Sequence, residues 1–149
     1  RGLARIHLGK QDTIYLGNIN ALRDWGHAKD YVEMMWLMLQ QKGVPQDYVI
    51  ASGYQTSVRS FVEMCSKSLG WGGIVWEGKG LDEIGRRKDT NSIVIKIDKR
   101  YYRPTEVETL LGDASKARKD LDWNPKISLK ALVDEMISND LDEAKKESK

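Results

Sequence analysis

Apolar residues recur along the chain with two different periods, and their alternation predicts a mixed α/β order. From Ala28, the positions Val32, Met35, Trp36 and Leu39 fall at the i, i+3, i+4, i+7 spacing of one helix face, and the pattern stops ahead of Gly43 and Pro45. That stripe is expected to be core, with Met34, Met35 and Met38 filling gaps in it and binding no metal. A second helix is predicted after Ser57, its cap, with Val58, Phe61, Val62, Cys65 and Leu69 on one face and Gly70 at its end. Asp113 or Ser115 caps a third, which runs through Ala117 and Leu121 and must stop before Asn124 and Pro125. Ser128 starts a fourth with Leu129, Leu132, Val133, Met136 and Ile137 on its apolar face, beyond which residues 142–149 turn polar and are expected to fray. Leu3, Ala4 and Ile6 fit the last turns of one more helix, stopped near Gly9.

Strands are predicted where β-branched and aromatic residues cluster between turn formers. Residues 13–16 read as a strand entering the turn Gly17-Asn18. Further short strands are expected at 47–53, closed by glycine, at 72–77, and at 93–98, where Ile93, Ile95 and Ile97 alternate with polar or smaller neighbours. The glycine- and charge-rich stretch 78–91 reads as a loop, and its Arg86-Arg87-Lys88 run as a solvated turn.

Composition narrows the class. With 40% hydrophobic and 31% charged residues over 149 positions, the chain suits one compact unit, and 24 basic against 22 acidic residues, interspersed, do not favour nucleic acid. A single cysteine, Cys65, cannot form an internal disulfide and falls on an inward helix face. No run of 18 or more apolar residues is present, so no membrane partner is expected and a cytoplasmic setting fits best. The chain opens at Arg1 without a methionine, as expected of a piece whose upstream sequence has been lost or omitted.

Two stretches carry chemistry. In the run 23–31, an arginine, two aspartates and a histidine stand at the mouth of the first long helix, where unpaired N–H groups and a planar guanidinium suit an anion such as pyrophosphate. The same residues also fit structural roles: Asp24 as helix N-cap, Arg23 as a surface partner of Asp30, and His27 as a first-turn polar residue. In the second stretch, Pro104 biases Arg103 toward extended backbone, and Thr105 with Glu108 make a capping-box pattern for a short helix, again placing an arginine beside a helix start. Glu106 and Glu108 equally fit first-turn acids that complement the helix dipole.

Leu16-Gly17-Asn18, the run Arg23-Asp24-Trp25-Gly26-His27-Ala28-Lys29-Asp30-Tyr31-Val32, Tyr102-Arg103-Pro104-Thr105-Glu106-Val107, Gly112-Asp113 and Leu121-Asp122-Trp123-Asn124-Pro125 together resemble the GDP-mannose 4,6-dehydratases. These are extended short-chain dehydrogenases/reductases, and the resemblance covers nearly all of the chain as their C-terminal, substrate-binding portion. It implies an α/β, Rossmann-type fold that is incomplete without an N-terminal half, with residues 1–149 as the substrate-binding part and the dinucleotide-binding part absent. Arg23 and Arg103 are implied to bind the substrate pyrophosphate, Glu106 the guanosine ribose hydroxyls, and the backbone around Ile14, Leu16 and Asn18 to line the guanine pocket. The family's reaction oxidises C4 of the hexose by hydride transfer to NADP, loses water across C5 and C6, and returns the hydride to C6.

The glycine-rich dinucleotide fingerprint and the Tyr-x-x-x-Lys pair of such enzymes are not found here, and no tyrosine has lysine at the fourth position after it. No catalytic residue is therefore named, and the NADP site is expected to lie mostly outside this chain. Neither histidine has a Ser or Cys partner in a recognisable arrangement, so an independent hydrolase is not expected. GDP-mannose is the expected ligand, the complete enzyme is expected to be a homo-oligomer, and the chain alone is expected to be inactive. An epimerase or dehydratase acting on a UDP- or dTDP-sugar, and a non-catalytic module binding a nucleotide or a protein partner, are the alternatives.

Overall fold

The computed structural model describes residues 1–107 and 109–147. Its main sheet has four strands in the order β1 (Ile14–Leu16), β6 (Ile93–Ile97), β5 (Ile84–Arg87), β4 (Ile74–Glu77). β1 runs parallel to β6, with Ile14 opposite Ile95 and Leu16 opposite Ile97, while β6, β5 and β4 form an antiparallel meander. A separate two-stranded ribbon pairs β2 (Leu22–Asp24) with β3 (Gln55–Ser57). The helices are α1 (Gly2–His7), α2 (Ala28–Leu39), α3 (Val58–Ser68), α4 (Ser115–Leu121) and α5 (Leu129–Lys146). Among the described residues no helix is long and apolar enough to cross a membrane.

Capping fixes where the predicted helices begin. Ser57 accepts from the Ser60 N–H and Ser128 from the Ala131 N–H, so each serine satisfies one first-turn amide where β3 passes into α3 and the Pro125 segment into α5. The α4 start is served by Asp113, whose Oδ1 accepts from the Ser115 N–H at 2.9 Å and whose carboxyl is thereby held below the usual carboxylate range. The main core gathers Leu3 and Ile6 of α1, Val62 and Cys65 of α3, Trp71, Val94 and Ile95, and Val133 and Ile137 of α5. A second, smaller core joins Met34, Ala51, Ala114, Ala117 and Trp123.

Five expectations are corrected. The stripe on α2 is not core: Val32, Met35, Trp36 and Leu39 are 61, 54, 59 and 81% exposed, and the helix is anchored through Met34 and the Trp123 indole, which donates to the Asp30 carbonyl. Residues 47–53 form no strand; the backbone at their end is held by a side chain instead, the two carboxylate oxygens of Asp24 accepting from the N–H groups of Ser52 and Gly53 at 2.9 Å each. The stretch 78–91 is not a loop throughout, since it holds a 3₁₀ turn (Gly80–Asp82) and β5. No helix follows Thr105, and Glu108, the partner in the expected capping box, lies outside the described residues. Nor does the C-terminus fray at residue 142: α5 continues to Lys146, and Glu147 pairs with both Arg1 and Arg5.

Cys65 does face inward, and burial pushes its thiol from 9.0 up to about 11. The native state therefore keeps this proton to higher pH than the unfolded chain, so the stability it contributes is intact below about pH 9 and is lost as pH rises toward 11. Urea denaturation at pH 8 and pH 10.5 is expected to show a pH-dependent loss that is smaller in Cys65→Ala. The uncovered α2 stripe is expected to drive self-association of the 149-residue chain. Sedimentation velocity should show it diminished in the Trp36→Lys, Leu39→Lys double variant, and a clean wild-type monomer would count against it.

Candidate functional site

The carboxyl ends of β1 and β6 point the same way, and the segments leaving them run side by side. The Asp98 N–H donates to the Leu16 carbonyl at 2.9 Å, extending the ladder by one rung. The Asn18 side-chain amide then closes a two-bond clamp on Arg103, its Nδ2 donating to the Arg103 carbonyl at 3.0 Å and its Oδ1 accepting from the Arg103 N–H at 2.8 Å. Gly17 lets the strands approach this closely, because a Cβ there would lie 1.9 Å from the Tyr101 carbonyl oxygen.

Arg23 reaches the same place from β2. Its guanidinium donates to a Glu106 carboxylate oxygen at 2.7 Å, to the Val107 carbonyl at 3.1 Å and to the Leu22 carbonyl at 2.7 Å. Three of the five guanidinium N–H donors are thus engaged, and two remain for a ligand. Arg23, Arg103 and Glu106 line one cleft compartment of about 450 Å³ with Leu16, Asn18 and Tyr101. Arg100, a third arginine on this compartment, is spent locally on Asp98, whose carboxyl it holds below the usual range. A second compartment, of about 510 Å³, shares Gly17, Asn18, Ile19, Ala21 and Glu106 with the first and adds Asn20, Gly80, Glu83, Ile97 and Tyr102.

Four of the six residues nominated from the sequence therefore line one compartment as two bonded pairs, Arg23 with Glu106 and Asn18 with the Arg103 backbone. Leu16 lines the cleft beside them, while Ile14 packs against the main core two residues back along β1. The basis expected for the anion site is corrected. Arg23 lies in a strand and Arg103 in a segment without regular secondary structure, so neither arginine reaches the cleft from a helix start. His27 is the α2 N-cap, its Nδ1 accepting from the Lys29 N–H at 3.0 Å, and its Nε2 lies 3.3 Å from Glu135. Asp30 accepts from the Ile127 N–H, so neither Asp24 nor Asp30 takes the capping or Arg23-pairing role open to it in the sequence. Tyr31, packed against Gly26, has its hydroxyl pKa raised by burial and by the nearby Asp24 and Asp30 carboxylates. Asn20, Glu83 and Tyr102 also line the cleft without having been nominated; Asn20 follows the turn at 17–18 and Tyr102 precedes Arg103, while Glu83 lies in the stretch expected to be a loop and has no local signal.

Comparison with known proteins gives the family. The sequence model described as GDP-mannose 4,6 dehydratase matches residues 1–136. The chain belongs to this family. It is 52% identical over 141 residues to GDP-mannose 4,6 dehydratase 2 of Caenorhabditis elegans, covering 95% of this chain and 36% of that protein. With GDP-mannose 4,6 dehydratase of Cricetulus griseus the identity is 51% over 142 residues, 95% of this chain and 38% of that one. The chain thus spans well under half the length of the curated relatives it matches. Its fold is that of the extended short-chain dehydrogenases/reductases: the structure of RMD from Pseudomonas aeruginosa, complexed with NADPH, superposes with a TM-score of 0.73 at 18% identity, covering 95% of this chain and 40% of that one.

Two junctions among the described residues show how the strands pass into their following segments. The β3–α3 junction is capped by the Ser57 hydroxyl and has no glycine turn, and β1 leads through Asn18 into β2 instead of a helix. Nor is any group of three or more His, Cys, Asp or Glu side chains among them placed to hold a metal ion.

Gly17 and Asn18 carry the approach of the two cleft walls, so both are expected to be sensitive. Gly17→Ala should lower unfolding stability by about 2 kcal/mol or more through overpacking against backbone. Asn18→Ala should lower it by about 0.5–1.5 kcal/mol, the net contribution of a solvent-accessible hydrogen bond, because water can replace the lost partner at Arg103. Equilibrium urea denaturation measures both.

Proposed function

We propose that this chain is the substrate-recognising portion of a GDP-mannose 4,6-dehydratase, the enzyme that converts GDP-mannose to GDP-4-keto-6-deoxymannose. The observation that carries the reading is the meeting of Arg23, Arg103 and Glu106 at the carboxyl ends of two parallel strands. The two guanidinium groups grip the pyrophosphate, and the Glu106 carboxylate accepts from the ribose hydroxyls. Arg23 and Glu106 hold each other beforehand, so the donors and acceptors for adjacent parts of one ligand are already in register. Asn18 acts on the backbone, fixing the segment that carries Arg103.

The names of the relatives support the sugar nucleotide, and the partial coverage supports a division of labour. NADP supplies hydride chemistry in the complete enzyme, at a site formed mostly by residues outside these 149. The catalytic groups are assigned there too, and the chain by itself is inactive. The complete enzyme is a homo-oligomer of the cytoplasm in this reading.

Charge-assisted hydrogen bonds contribute about 1.5–3 kcal/mol each, and about 1.4 kcal/mol is a factor of ten. Calorimetric titration of GDP-mannose into the complete enzyme is expected to show roughly 10- to 100-fold weaker binding in Arg23→Ala and in Arg103→Ala. Unchanged affinity in both variants overturns the assignment. Competition among GDP-mannose, UDP-glucose and dTDP-glucose separates it from an enzyme of another nucleotide sugar.

A further inference from the structure

The two cleft compartments differ in what lines them. Arg23 and Arg103 face only the first, Glu83 faces only the second, and Glu106 stands at the seam. A nucleoside diphosphate has the same order of parts: phosphates, then ribose, then base. With the arginines on the phosphates and Glu106 on the ribose, as the preceding reading has it, the base falls in the compartment that holds Glu83.

Glu83 is placed there by the sheet. It lies directly opposite Ile97, one step beyond the Ile84–Lys96 pair, and its carbonyl accepts from the Ile97 N–H at 3.2 Å. Cross-strand neighbours share a face, so the Glu83 side chain stands with that of Ile97, which also lines the compartment. The chain is turned toward it by Gly78 at φ +80°, where a Cβ would lie 2.6 Å from the Asp82 carbonyl oxygen.

A buried carboxylate on the wall of a cleft is costly unless paired. Glu83, 9% exposed, is held by Arg59, whose guanidinium lies 2.8 Å from Oε1. Arg59 is itself fixed on three sides: it stacks over Trp76 at 4.5 Å, its Nε donates to Asn20 Oδ1 at 2.9 Å, and its backbone N–H donates to the Ile19 carbonyl. One carboxylate oxygen is thus tied down, while the other and the remaining lone pairs stay available to accept.

We propose that Glu83 is the base-reading residue of this cleft, accepting hydrogen bonds from the N1–H and N2–H groups of guanine, and that Arg59 is the positioning residue that orients its carboxylate. Guanine sets two N–H donors side by side, which a carboxylate matches. Adenine has a bare acceptor at ring N1, uracil has one N–H between two carbonyls, and hypoxanthine keeps N1–H but lacks the amino group. A site built around such an acceptor rejects bases that leave it unpaired.

The test titrates GDP, IDP and UDP into the 149-residue chain and its Glu83→Gln and Arg59→Gln variants, with circular dichroism confirming the fold of each. The wild type is expected to prefer GDP to UDP by roughly tenfold or more, with IDP between them. Glu83→Gln should weaken GDP by about 10- to 50-fold and UDP by less than about threefold, so that the preference collapses. Arg59→Gln breaks the same ion pair from the other side but keeps the carboxylate, and should retain a preference for GDP. An equal loss for both nucleotides in Glu83→Gln, or an unchanged preference, overturns the proposal and marks the pair as structural. A wild-type chain that binds none of the three removes the nucleotide reading itself, and this inference with it.

Discussion

The parallel pairing of β1 with β6 is the constraint on which the cleft depends. Parallel strands cannot be joined by a tight turn, so the chain between them must leave the sheet and return. Here the excursion contains β2, α2, β3, α3, β4 and β5, and it ends with Ile95 beside Ile14. Both strands then discharge their following segments at the same edge, which is where open α/β sheets bind ligands. The Asn18 clamp and the Arg23–Glu106 ion pair join segments more than eighty positions apart, and both follow from that one ladder.

Much of the fold was legible because its signals are local. The serines at 57 and 128 cap α3 and α5, and α3 buries the face the period marks, while α5 buries Val133 and Ile137 of its face and leaves Met136 exposed. The failures share a physical cause, which is that periodicity reports which residues are apolar and not what covers them. The α2 stripe has the right spacing and no neighbour within the described residues, while residues 47–53 have strand-like composition and form no strand. β5 was hidden for the opposite reason. Its Arg86 and Arg87 carry charge into a sheet, but Glu77 pairs with the first across the strands, and Asp89 and the Trp71 ring engage the second.

The site was legible in its residues and not in its construction. Arg23 and Arg103 stand out in their local sequence and Asn18 and Glu106 through the motif resemblance, and all four line one cleft compartment. The helix dipoles invoked for both arginines play no part at the cleft, because His27 occupies the α2 cap and no helix follows Arg103. Glu83 had no local signal at all. Its meaning depends on the register that sets it opposite Ile97 and on an arginine brought in by α3, neither of which a linear pattern contains.

The distance along the chain between the two parallel strands also has a consequence in time. Ile14 and its partner Ile95 are 81 positions apart. At synthesis rates of roughly 5–20 residues per second, β1 leaves the ribosome on the order of 4–16 seconds before the strand it pairs with. For that interval Ile14, Tyr15 and Leu16 present an unpaired edge, and the ligand cleft cannot exist in any form. The cleft thus waits on β6 and the segment that follows it, and a nascent chain stalled before β6 would hold Arg23 with nothing opposite it.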